Sequence, residues 1–309
     1  MRLPAKMLRR GEPEVSAETV SKRGLSRMAV VGGGTMGTGI AYVFAMAGWE
    51  TTVVEPSVDR VSAMERELRA AAEGAVNRGK LSAADAEALL KRIASASDVE
   101  QLDEGLELIV ESVPERLALK LGVLKACSAK KPVLLGSNTS SISIDALAEA
   151  VSDPQRFFGM HFFNPVWSLA LVELIRGAKT TEAVIGEAQT IVTGIGKQSI
   201  VVANVPGFAT SRLDLIASLE AMRMVESGVA SAADIDRAAE LAYRHPVGPL
   251  RLSDIVGLDV RLDIARQLAS TYGERYEPPQ ILLDLVAAGH LGRKTGRGFH
   301  AWPEVSSAP

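Results

Sequence analysis

The stretch MAVVGGGTMGTGIA, Met28 to Ala41, constrains the chain more than any other. In it Gly32, Gly34 and Gly37 stand as G-x-G-x-x-G, directly after an apolar run and directly before a helix-patterned run of small residues. The first glycine permits a tight turn, the second lets backbone approach a pyrophosphate, and the third lets helix and strand pack closely. The helix N-terminus then offers unpaired N–H groups to the anion. With Gly33, Thr35 and Met36 between them, these residues form the expected dinucleotide loop. A second strand, Thr51 to Glu55, completes a βαβ unit. The Glu55 carboxylate falls about 20 residues past the glycines, where a ribose 2′-hydroxyl sits. An acid there accepts from a hydroxyl and repels a 2′-phosphate, so the expected cofactor is NAD rather than NADP.

Alternation of strand-like and helix-like runs continues beyond this unit. An alanine-rich amphipathic stretch from Val58 to about Ser95, broken near Asn77 to Ser82, predicts an antiparallel helix pair inserted before the next strand. LELIVESVPE, KPVLLGSNTS, RFFGMHFFNP, SLALVELI and GKQSIVVAN then read as strands. The pattern predicts an α/β fold, a Rossmann-type doubly wound sheet. After Pro206-Gly207 only helical periodicity remains, at Phe208–Ser227, Ala232–Tyr243, Ser253–Tyr272 and Pro279–Ala288. Proline disfavours helix in the residue before it and glycine admits unusual dihedrals, so this dipeptide marks the joint. The expected organisation is a flexible tail at 1–25, a nucleotide-binding domain at 26–204 and an all-helical C-terminal domain at 205–309.

Charge narrows the possible partners. Thirty-four basic residues against thirty-seven acidic ones leave a net charge of −3, so no global basic field invites nucleic acid or an anionic membrane. No run approaches the length of a membrane-spanning helix. The single cysteine, Cys127, cannot form an intrachain disulfide; it is expected as a packing residue on a helix, in a reducing, cytoplasmic compartment. No Cys/His cluster has metal-ligand spacing. In the polar N-terminal segment no apolar run follows Arg9-Arg10, and Glu12, Glu14 and Glu18 oppose a transit peptide.

Moving a hydride from an alcohol carbon to a nicotinamide requires a base for the hydroxyl proton, and histidine titrates in the useful range. His161, one of four histidines, follows the apolar run Phe157–Met160 and precedes the turn signal Asn164-Pro165. Strand ends of this kind are where open α/β sheets place ligands. Glu173, twelve residues on, interrupts an apolar run and is costly to bury without a partner. The residues alone leave two readings open: a catalytic His161/Glu173 pair, or a satisfied core histidine beside an unrelated acid.

Six motifs, in order, resemble those of the short-chain L-3-hydroxyacyl-CoA dehydrogenase family, which includes 3-hydroxybutyryl-CoA dehydrogenases. They are VVGGGTMGTGIA, IVESVPE, GSNTSSISI, GMHFFNPV, PGFATSRL and LGRKTGRGF, and the resemblance spans Arg27 to Trp302. It implies that His161 is the general base, Glu173 its paired carboxylate and Ser140 the hydroxyl on substrate oxygen and nicotinamide. It further implies cofactor contacts at Gly32 to Gly37, Glu55, Glu111, Ser140 and Lys294. The acyl-CoA substrate would meet Ser140, Ser211 and, on the inserted helix pair, Arg78, while the C-terminal domain would form a homodimer. Three positions depart from the pattern. Ser211 stands where asparagine is usual and has a shorter reach and only one donor. Ala118 replaces a lysine that often contacts the cofactor, which should weaken NAD binding modestly, and Ala170 replaces another lysine. Two alternatives stay in view: a dehydrogenase of a free hydroxy acid, of the carnitine or gulonate type, against which Arg78 and the inserted helix pair weigh, and an inactive, crystallin-like NAD-binding protein, which Ser211 and Ala118 keep open.

Overall fold

The computed structural model describes residues 26–302, so the expected N-terminal tail lies outside the described residues. The first unit is β1 (Arg27–Val31), α1 (Thr35–Met46) and β2 (Glu50–Val54). The helix pair α2 (Val58–Asn77) and α3 (Ala83–Lys91) follows, each helix started by a serine, Ser57 or Ser82, whose hydroxyl accepts from a first-turn N–H. The chain continues through β3 (Ile93–Ala96), β4 (Leu108–Glu111), α4 (Leu117–Ala129), β5 (Leu134–Ser137), α5 (Ile144–Ala148) and β6 (Phe157–Phe162). The last strands are β7 (Leu171–Arg176) and β8 (Gln198–Ala203), with α6 (Glu182–Gly194) between them.

These strands form one sheet in the order β3-β2-β1-β4-β5-β6-β7-β8. Every neighbouring pair is parallel except β6 with β7. Parallel strands covered on both faces read as unbroken apolar runs, which is why β4 and β6 are buried from end to end. One apolar layer packs α1, α2 and α6 on one face through Ile40, Phe44, Leu68 and Ile185. The other packs α4 and α5 through Leu124, Cys127 and Leu147. Cys127 is the helical packing residue expected; burial pushes its thiol up to about 12, with the negative Glu111 adding to the effect.

Five α-helices follow among the described residues: α7 (Thr210–Glu226), α8 (Ala232–Tyr243), α9 (Pro249–Val256), α10 (Leu258–Tyr272) and α11 (Gln280–Ala287). Leu215, Met222, Leu250, Leu262 and Leu282 build their separate core. Two expectations need correction. The stretch read as helix to Ser95 ends in β3, an edge strand whose pairing with β2 outweighs its weak local pattern. The single helix expected over Ser253–Tyr272 is two, divided at Gly257, whose φ of 108° no helix accepts.

Candidate active site

Strand β1 leads to β2 on one side and borders β4 on the other, and the crevice at such a switch point, beyond the strands' C-terminal ends, is where open α/β sheets bind ligands. A cleft of about 1010 Å³ lies there, bordered by Gly34 after β1, Glu55 after β2, Glu115 after β4, Ser140 after β5 and His161 on β6.

The glycine loop forms its floor. Gly32 has a φ of 109° and lies so close to the β4 side that a Cβ would sit 2.7 Å from the Ser112 carbonyl oxygen. At Gly37 a Cβ would come within 1.8 Å of the Gly32 oxygen, so only glycine lets α1 start this close to β1. Gly34 differs: a Cβ there would meet nothing within 4 Å, which leaves its backbone open to a ligand. No side chain caps α1, and Thr35 and Met36 in its first turn line the cleft. An uncapped helix end, an open glycine and an acid at the end of β2 fit a dinucleotide. Glu55 lies just past β2, with Oε2 accepting from Gly33 N at 2.9 Å and Oε1 from Ser57 N at 3.0 Å. Arg60, the cation beside it, is engaged by the Gly33 carbonyl and Glu67 and is therefore not free to hold a 2′-phosphate. Glu55→Gln should narrow the kcat/KM preference for NADH over NADPH by about tenfold or more, because a like charge against the 2′-phosphate costs several kcal/mol. Steady-state kinetics with both cofactors measure it; an unchanged ratio would mean that the preference lies elsewhere.

His161 and Glu173 meet because β6 and β7 run antiparallel in a register that sets them directly opposite each other. Paired residues in such a ladder point to the same face. Glu173 Oε2 lies 2.8 Å from His161 Nδ1, and the carboxylate is wholly buried. An ionised carboxylate only accepts, so Nδ1 carries the hydrogen and the Nε2 lone pair is free. Glu173 Oε1 accepts from Ala209 N at 3.1 Å and Thr210 N at 2.9 Å, and Oε2 from Thr210 Oγ1 at 2.8 Å. Burial pushes this carboxyl up, but hydrogen bonds from His161 and from the Thr210 backbone and hydroxyl outweigh it and hold the group below its ordinary range. The histidine ring is flanked by Phe163 at 4.3 Å and Phe208 at 6.1 Å.

Ser140 also lines the cleft, in a loop gathered onto one acid. Glu115 Oε1 accepts from Ser140 N at 2.9 Å, Ser141 N at 3.0 Å and Thr139 Oγ1 at 2.6 Å. Behind it the buried Lys120 ammonium lies 3.3 Å from Glu115 and 2.8 Å from Glu111. Glu111, expected at the cofactor, is instead enclosed, accepting also from Ser137 Oγ and Val113 N. The remaining expected residues lie apart from the cleft lining. Ser211 is half-buried in the first turn of α7. Arg78 caps α2, exposed and beside Tyr42. Lys294 pairs with Asp259 at 2.6 Å at the start of α10. Sequence reasoning missed Glu115, Lys120 and Thr210. A lysine in the otherwise apolar run LALKLGVL was the signal for Lys120, whose ammonium is buried against Glu111 and Glu115 and so does not replace the cofactor-side cation lacking at Ala118. Among the described residues no His/Cys/Asp/Glu group could hold a metal ion, and no helix is long and apolar enough to cross a membrane.

Comparison with known proteins agrees with this geometry. Residues 27–205 match the 3-hydroxyacyl-CoA dehydrogenase NAD-binding domain, and residues 207–302 match the 3-hydroxyacyl-CoA dehydrogenase C-terminal domain. A 3-hydroxybutyryl-CoA dehydrogenase of Mycobacterium tuberculosis is 40% identical over 283 residues, 90% of this chain and 99% of that protein. A probable 3-hydroxybutyryl-CoA dehydrogenase of Bacillus subtilis is 34% identical over 92% of this chain and 99% of its own. The crystal structure of (S)-3-hydroxybutyryl-CoA dehydrogenase from Ralstonia eutropha superposes with a TM-score of 0.86 at 36% identity, covering 90% of this chain and 99% of that one. Both parts of the chain are matched in order by one family, around a nucleotide cleft of the right chemistry, and the chain therefore belongs to the 3-hydroxyacyl-CoA dehydrogenase family of NAD-dependent oxidoreductases.

Proposed function

We propose that the protein oxidises an L-3-hydroxyacyl-CoA to the 3-oxoacyl-CoA, reversibly, with His161 as general base. The carrying observation is the in-register His161–Glu173 pair at the cleft, with the Nε2 lone pair left free. The glycine loop, the N-terminus of α1 and Glu55 would hold NAD, which would supply the acceptor for the C3 hydride. His161 Nε2 takes the 3-hydroxyl proton as that hydride departs, and the buried Glu173 holds the ring's orientation and stabilises the imidazolium. Ser140 Oγ donates to the C3 oxygen, its loop held still by Glu115. In the reverse direction the imidazolium returns the proton to the oxygen.

The names of the relatives and the exposed Arg78 guanidinium, suited to a coenzyme A phosphate, support the acyl-CoA class. Ser211, in the first turn of α7, is assigned the substrate-side role of the family asparagine, and Lys294 a cofactor contact. Large apolar side chains exposed on the helical part, Leu213, Leu241 and Tyr243 among them, support a homodimer through that part. A single buried thiol suits a reducing compartment, the cytoplasm.

NADH oxidation with acetoacetyl-CoA and with acetoacetate tests the reading. The CoA ester should give a kcat/KM about 100-fold or more above the free acid, because binding of the remote nucleotide supports the chemistry. Comparable rates would favour a free-acid dehydrogenase, and tight NADH binding without turnover of either would leave a binding protein.

A further inference from the structure

Glu173 is held from two sides, and one of its partners belongs to neither the base nor the sheet. The helix α7 has no side-chain cap of its own; the carboxylate from β7 takes that place, accepting from Ala209 N and Thr210 N. The chain is brought there by a tight approach in which Gly207 has a φ of 74° and the buried Phe208 a φ of 45°. Tyr272 on α10 pins the approach by donating to the Pro206 carbonyl at 3.2 Å. The Thr210 hydroxyl therefore has a defined place, 2.8 Å from the same Oε2 that lies 2.8 Å from His161 Nδ1.

A carboxylate offers about four lone-pair sites, and here four donors fill them, two on each oxygen. A donor sharing Oε2 draws electron density away from the bond to the imidazole, most so when the ring is protonated and that bond is charge-assisted. We propose that Thr210 is a positioning residue which, by sharing Glu173 Oε2, weakens the hold on the His161 imidazolium and so extends to lower pH the range in which His161 acts as a base. The inference rests on the dehydrogenase reading above.

Other charges facing the pair are few. On the far side of β7 the residue paired with Glu173 is Ile200 of β8. Arg212 of α7 turns to the Tyr272 ring, 4.2 Å away. Across the cleft Glu115 and Lys120 pair with each other. None of these shares Oε2.

Thr210→Val removes the hydroxyl at nearly constant shape. Oε2 then serves the imidazole alone, the protonated ring persists to higher pH, and the acid limb of the kcat/KM profile for hydroxyacyl-CoA oxidation should move up by about half to one pH unit. The alkaline limb of the reduction, where His161 must carry the proton, should move the same way. Thr210→Ser should keep the original profile. A merely structural role would instead lower activity at every pH without moving either limb, and an unmoved or downward-moved limb, or failure of serine to preserve the profile, overturns the proposal. Should Thr210→Val not fold, Thr210→Cys, a weaker donor at the same place, should show a smaller shift of the same sign. Loss of the fold in both would make the residue structural and also overturn it. Absence of turnover in the unmodified protein would instead fail the dehydrogenase reading itself.

Discussion

His161→Ala should lower kcat/KM for hydroxyacyl-CoA oxidation by about 10²- to 10⁴-fold, the usual worth of a positioned general base. NAD affinity, read by fluorescence titration, should stay within about twofold, because the dinucleotide elements belong to β1, α1 and β2 while His161 belongs to β6. The substitution should also leave the fold intact. Glu173 loses one donor of four but keeps Ala209 N, Thr210 N and the Thr210 hydroxyl, so the buried carboxylate remains solvated by the protein. Proportionate loss of turnover and NAD binding would identify the histidine as structural.

Lys120→Met should be the most damaging change to stability, about 3–5 kcal/mol in denaturant unfolding, the cost typical of breaking a buried ion pair by removing one partner. Both Lys120 and Glu111 are fully buried, and without the ammonium Glu111 keeps only Ser137 and Val113 as donors. Adding Glu111→Gln to the same chain should recover much of the loss, because the neutral amide removes the unpaired charge and still accepts from Ser137. Catalysis should suffer as well. Glu115 loses its cation, and through Glu115 the Ser140 loop loses its anchor, so KM should rise in the single variant even where it is folded. A single variant as stable as the parent would show that water reaches Glu111.

The two carboxylates after the glycine loop illustrate what a linear reading can and cannot extract. The position of Glu55 was legible because it depends on local geometry: a strand of known length after a glycine turn puts the residue just past its end beside the loop. Glu111 was placed on the cofactor by motif position, yet it lies enclosed by Lys120, Ser137 and Val113, while Glu115 four residues later reaches the cleft. Both sit near one strand end, and no spacing rule says which points down and which points across. Ser211 and Thr210 differ in the same way. Ser211 departs from the motif pattern, but the hydroxyl with a defined partner at Glu173, beside His161, is that of Thr210.

Amino-acid order alone determined the doubly wound sheet, the nucleotide loop with its acid, and the presence of His161 at a strand end, because strand and helix periodicity and glycine dihedrals act over a few residues. Only the tertiary structure decided that Glu173 stands opposite His161, since that requires β7 to turn back antiparallel in an otherwise parallel sheet. It alone decided, too, that the carboxylate is completed by a helix that begins 37 residues later. Such contacts depend on how whole elements pack, and the hydrophobic packing that sets them is non-directional and leaves no local signature in the chain.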